Sequence, residues 1–204
     1  MFRVALLVSV AACGPISAPA AAPPPRTAAP AQSDPAFAPS AQSAPGAPST
    51  PSTPAAPAGG SIAQRFVAAH NADRAKHCAP PLTWSPKLEQ VAQKWADSLR
   101  TQGCKFGHSG NNSYGENLAA GSSGILDPEA TVKMWYDELA KYKFPDGGFS
   151  METGHFTQVV WKGTSQVGCG KSTCNGMDIW VCNYEMAGNW EGQYRDNVLA
   201  LGCK

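Results

Sequence analysis

The spacing of apolar positions changes twice along the chain and divides it into three parts. Residues 4–12, VALLVSVAA, form an apolar stretch of nine, interrupted only by Ser9, behind the short positive start MFR. That length suits a signal peptide and is about half of the roughly 18–20 residues a membrane-spanning helix needs. Residues 14–60 show no period at all. They hold 13 of the chain's 18 prolines, many Ala and Ser, and only Arg26 and Asp34 as charges. Such a stretch has too few large apolar groups to offset the entropy of ordering itself. It reads as a semi-extended, polyproline-like linker, either holding a domain off a membrane or wall or simply joining two parts.

From residue 61 onward the pattern becomes that of a folded domain. Residues 62–77, IAQRFVAAHNADRAKH, place Ile62, Phe66, Val67 and His70 on one helical stripe, with Asn71 and Arg74 beside it. His70 on that stripe reads as a core histidine. Ser85-Pro86 is a helix start, Leu88, Val91, Ala92, Trp95 and Leu99 form an apolar face, and Gly103 is a stop. Residues 104–124, CKFGHSGNNSYGENLAAGSSG, are rich in Gly, Asn and Ser and read as a surface loop, yet they carry His108 and Glu116. Within them Asn111-Asn112-Ser113 fits a glycosylation acceptor. Asp127-Pro128 caps a third helix with Val132, Trp135, Tyr136 and Leu139, and Glu138 points off a neighbouring face of it. HFTQVVW (155–161) taken alone reads as a strand, being β-branched and aromatic. VGCGKS (167–172) and MDIWVCNYEM (177–186) alternate as two antiparallel strands do.

Charge narrows the partners. The domain carries 14 Lys and Arg against 14 Asp and Glu, so it lacks the basic footprint that phosphate-backbone binding requires. Nucleic acid is not an expected partner. Of seven cysteines, six lie in the domain and one is Cys13. Val10-Ala11-Ala12-Cys13 resembles a bacterial lipobox, which would make residues 1–12 the signal peptide, Cys13 a lipidated membrane anchor and 13–60 the linker. The other reading leaves Cys13 in the apolar segment and puts cleavage near Ser17-Ala18-Pro19-Ala20. Either way an even six remain for an exported, disulfide-stabilised domain, with 15 pairings open. Neither HExxH nor GxSxG occurs, and Ser109 beside His108 has no supporting motif for a serine hydrolase.

GHFTQVVWKGT, VGCG, WVCNYEMAGNW, YGENL and the spacing Trp135-x-x-Glu138-x-x-x-Tyr142 resemble, in order, the CAP superfamily of cysteine-rich secretory, antigen 5 and pathogenesis-related proteins. The match runs from about residue 62 to 190, and together with the lipobox-like Cys13 the chain looks like a bacterial lipoprotein member of the family. The resemblance implies an α+β fold, an α-β-α sandwich with a small antiparallel sheet between helical layers, and turns HFTQVVW into a short helix. It implies that Asn71 and Arg74 brace the core. It implies disulfides Cys104–Cys174 and Cys169–Cys182, which leaves Cys78 with Cys203. It aligns His108, Glu116, Glu138 and His155 with the family's cavity tetrad. Two imidazoles can bind Zn2+, with Glu116 and Glu138 in direct or supporting roles. Met186 is a departure, standing where the family commonly has proline, near a region linked to sterol or lipid binding in some members.

The expected function is an extracytoplasmic, monomeric binding module for a lipid or cell-envelope ligand, able to hold a divalent metal. The rival is a metal-assisted peptidase or esterase, with Glu116 or Glu138 as the catalytic base. A purely structural envelope protein is the third reading.

Overall fold

Local chemistry sets the helix ends in the computed structural model, which describes residues 60–203. The expected signal segment, most of the linker and Cys13 lie outside the described residues. Helix α1 (Ile62–Lys76) starts in a capping box: Ser61 Oγ accepts from the Gln64 amide, and Gln64 Oε1 accepts from the Ser61 amide. Helices α2 (Pro86–Thr101) and α3 (Pro128–Tyr136) each begin with a capping side chain, Ser85 or Asp127, followed by proline. A 3-10 turn (Asp137–Lys141) follows α3, and Glu138 belongs to that turn rather than to the helix. HFTQVVW lies in a short helix, α4 (Gly154–Val160), as the resemblance implies and the local sequence does not. Helix α5 (Tyr194–Asn197) is a single turn.

Strands β1 (Thr83–Trp84), β2 (Gly115–Ser122), β3 (Gln166–Cys174) and β4 (Met177–Glu185) form one sheet in the order β1-β3-β4-β2. Pairs β3–β4 and β2–β4 are antiparallel, but β1 runs parallel to β3, so the sheet is mixed rather than wholly antiparallel. The difference is small. After α1 the chain returns alongside β3, and two backbone bonds, Thr83 N to Ser165 O and Ser85 N to Val167 O, hold it there. The larger correction is β2, which lies inside the stretch that reads as a loop. GENLAAGS has no β-branched or aromatic residue, and full pairing with β4 makes it a strand against its own preference.

Helix α2 covers one face of the sheet, packing Ala92, Ala96 and Leu99 on Leu118, Ile179 and Val181. On the other face Phe66, Trp135, Phe156 and Val159 meet Ala119, Trp180, Cys182 and Tyr184. The VGCG motif explains how closely α2 can sit. A Cβ on Gly168 would lie 2.2 Å from Glu89 N, and one on Gly170 would lie 2.3 Å from Gln93 Cα. The strand backbone touches the helix backbone, and only glycine allows it.

The buried stripe of α1 is Phe66, His70 and Arg74, polar beyond its first residue. Arg74, fully buried, donates to four carbonyls, those of Pro80, Val159, Trp161 and Thr164, and so ties α1 to the C-terminal end of α4. Asn71 makes two bonds with the Leu82 backbone and fixes the entry to β1. Three disulfides, Cys78–Cys203, Cys104–Cys174 and Cys169–Cys182, are the pairs the resemblance implies. The first ties the end of α1 to the C-terminal segment. The second joins the loop after α2 to the tip of the β3–β4 hairpin, and the third bridges β3 and β4.

Candidate functional site: two histidine–glutamate pairs beside an apolar cavity

The four polar residues singled out in the sequence come together as two pairs of one design. His108, in the loop after α2, has Nδ1 2.8 Å from Glu116 Oε1, and that oxygen also accepts from the Ser109 amide at 2.9 Å. The other oxygen accepts from Asn183 Nδ2 at 3.3 Å, because Asn183 stands opposite Glu116 in the β2–β4 register. His155, in the first turn of α4, has Nδ1 2.7 Å from Glu138 Oε1. Glu138 Oε2 accepts from the amides of His155 and Phe156, each at 3.0 Å. Those amides belong to the group a helix start cannot satisfy internally, and Thr153 offers them no side-chain cap. Glu138, arriving from the turn after α3, is therefore the cap of α4.

A carboxylate only accepts hydrogen bonds, so each Nδ1 carries the proton that faces its glutamate. Burial pushes the Glu116 carboxyl up, but the hydrogen bonds from His108 and Ser109 outweigh it and hold the group below its ordinary range. The pairs differ in openness. The Glu116 side chain is 8% exposed and the Glu138 side chain 20%. Asn117, next to Glu116 on β2, donates to the His155 carbonyl and to Tyr184 Oη, linking the strand to α4.

The more open pair borders a cavity of about 680 Å³. The edge strand β2 borders it, with Leu118, Ala119 and Ala120 in the lining. Phe106, from the loop after α2, and Met134 and Trp135, from α3, are apolar walls, and the hairpin tip at Asn175–Met177 closes one end. Trp135 donates from Nε1 to the outward-pointing Leu118 carbonyl and stacks on the His155 ring at 6.3 Å. The Cys104–Cys174 bridge lies in the lining as well. Glu138 and His155 reach the cavity, whereas Glu116 and His108 are not among its lining residues.

Sequence reasoning missed Asn183, Asn117 and the cavity itself. A lone Asn in a strand carries no local signal, and the cavity exists only where β2, α3 and the loop after α2 meet. Among the described residues no group of three or more His, Cys, Asp or Glu is placed to hold a metal. A cation here would rest on the two imidazoles, whose tautomers suit it, with other ligands from elsewhere. Ser109 Oγ accepts from the Asn111 amide, and the Ser109 side chain also hydrogen-bonds the Glu116 carboxylate. Met186 is exposed, and its carbonyl accepts from Thr164 Oγ1.

Comparison with known proteins matches residues 67–184 to the model of the cysteine-rich secretory protein (CAP) family. Protein PRY2 of Saccharomyces cerevisiae is 46% identical over 138 residues, 66% of this chain and 40% of its own length. Pathogenesis-related protein 1A of Nicotiana tabacum is 38% identical over 133 residues, 64% of this chain and 78% of its own. A crystal structure of NaASP2 with Zn2+ superposes with a TM-score of 0.58 at 28% identity, covering 71% of this chain and 89% of that one. The chain spans 36% to 54% of the length of the yeast relatives. These relatives are eukaryotic, so they lend no support to the expectation of a bacterial lipoprotein.

Proposed function

Because this chain belongs to the cysteine-rich secretory protein (CAP) family, we propose that it is an exported binding module that takes a lipid-like, amphipathic small molecule into the cavity over β2. The observation that carries the reading is the cavity. Its volume falls within the roughly 300–1,000 Å³ of small-molecule sites, and its lining is mostly apolar with a few polar groups at one side. Burying a ligand's apolar surface supplies the driving force, at about 25 cal/mol per Å². Glu138 and His155 give the ligand an orientation. Export accords with three disulfides, which persist in oxidising compartments. Lipidation at Cys13 rests on the sequence pattern alone, and the mass of the mature N-terminus tests it.

The carboxylates favour binding over hydrolysis. Each already accepts three hydrogen bonds that position a histidine and a backbone segment, a supporting role rather than that of a base facing substrate. A divalent metal remains compatible with His108 and His155, oriented by Glu116 and Glu138, and NaASP2 at 28% identity was crystallised with Zn2+. Bound there, it would supply Lewis-acid polarisation of a ligand oxygen. Calorimetric titration with Zn2+ tests it, and a site loses its heat in the His108→Ala/His155→Ala variant.

The cavity reading is tested with a fluorescent long-chain lipid on the full, oxidised chain. Saturable binding is expected to weaken at least about tenfold in Ala120→Phe, which adds a ring at a lining position. Equal binding by that variant places the ligand elsewhere and overturns the reading.

A further inference from the structure

The cavity's lining holds a single carboxylate, and that decides which amphiphile it accepts. Among the described residues its lining contains one carboxylate, Glu138, and no lysine or arginine. Its other polar side chains are His155 and Asn175. The His155 Nδ1 proton is committed to Glu138 at 2.7 Å. Glu138 uses three of the roughly four lone-pair sites of a carboxylate on His155 and Phe156, and its side chain stays 20% exposed. A ligand's polar end therefore meets a carboxylate acceptor with, among the described residues, no lysine or arginine beside it.

We propose that the cavity selects a single-chain amphiphile whose head donates hydrogen bonds, a long-chain amine first and a long-chain alcohol second, and discriminates against a free carboxylate. The inference rests on the cavity reading above and deepens it. An ammonium beside Glu138 forms a charge-assisted hydrogen bond, the stronger kind. A hydroxyl donates to the same oxygen without the charge. A carboxylate placed there would be a second anion in an enclosed, largely apolar site, where like charges repel more strongly than in water.

The test uses three ligands of one chain length, hexadecylamine, hexadecanol and palmitate, kept below their aggregation thresholds with EDTA present. Each competes for a fluorescent apolar probe on the full oxidised chain. The expected order is amine, alcohol, carboxylate, with at least about tenfold between the first and last. Glu138→Gln should narrow that ratio to within about threefold. Glu138 also caps α4, so a second variant guards against misfolding. Met134→Lys, at a lining position 40% exposed, adds a cation and should raise palmitate affinity relative to hexadecylamine. Equal affinity for all three ligands, or palmitate the tightest, overturns the head-group inference while the cavity reading stands. If none of the three displaces the probe, or the probe does not bind, the cavity reading itself fails.

Discussion

Replacing Gly170 by alanine is a one-methyl change with a calculable consequence. The new Cβ would lie 2.3 Å from Gln93 Cα, 2.4 Å from Gln93 N and 2.8 Å from Ala92 C. These are backbone atoms of α2, so no rotamer change relieves the contact. Carbon atoms rest at about 3.5–4.0 Å, so helix and strand must part by more than about 1 Å. That separation strains the clamps across the interface. Gln93 bonds both the amide and the carbonyl of Lys171, and Ser172 Oγ donates to the Ala96 carbonyl at 2.6 Å. Overpacking typically costs about 1–3 kcal/mol, and each weakened hydrogen bond adds about 1 kcal/mol. A loss of about 4–6 kcal/mol is expected, a large share of the roughly 5–15 kcal/mol that holds a domain together. Urea unfolding of the oxidised chain reads it. Gly107→Ala is the control, since no atom lies within 4 Å of its Cβ and the backbone there is not left-handed. A Gly170→Ala protein within about 0.5 kcal/mol of the parent would refute the claim that these glycines exist for backbone contact.

Two further predictions follow from other parts of the fold. Burial is the main reason the His70 imidazole is pushed down to about 4. Its folded value is below its unfolded value, so the stabilisation is whole above about pH 6.5 and is lost as pH falls towards 4, by roughly 2–3 kcal/mol at pH 4.5. The buried His77 shifts the same way, so the measurement is the difference between the parent and His70→Gln in unfolding free energy at pH 7 and 4.5. Equal slopes for the two proteins would sink the assignment to His70. Breaking Cys104–Cys174 by a double serine substitution should cost roughly 2–4 kcal/mol and weaken lipid-probe binding, because both partners lie in the cavity wall. Unchanged binding with reduced stability would show that the wall does not need the bridge.

Much of this protein is set by short-range chemistry and can be read in one dimension. Ser85 and Asp127 begin helices because their side chains accept amides a few residues on, and the proline after each agrees. Alternation places β3 and β4, and the ordered motifs bring the histidines, carboxylates and cysteine pairs into view. Other features needed the whole fold. GENLAAGS is a strand because β4 offers it a full ladder, against a composition that favours a loop. GHFTQVV is a helix although its β-branched and aromatic residues point to a strand, because Glu138 satisfies its first amides from another element. Arg74 can be buried without an acidic partner because four carbonyls from separate segments converge on it. The cavity was beyond the sequence for the same reason. Local preference acts over a few residues, whereas a space between β2, α3 and the loop after α2 belongs to none of them alone.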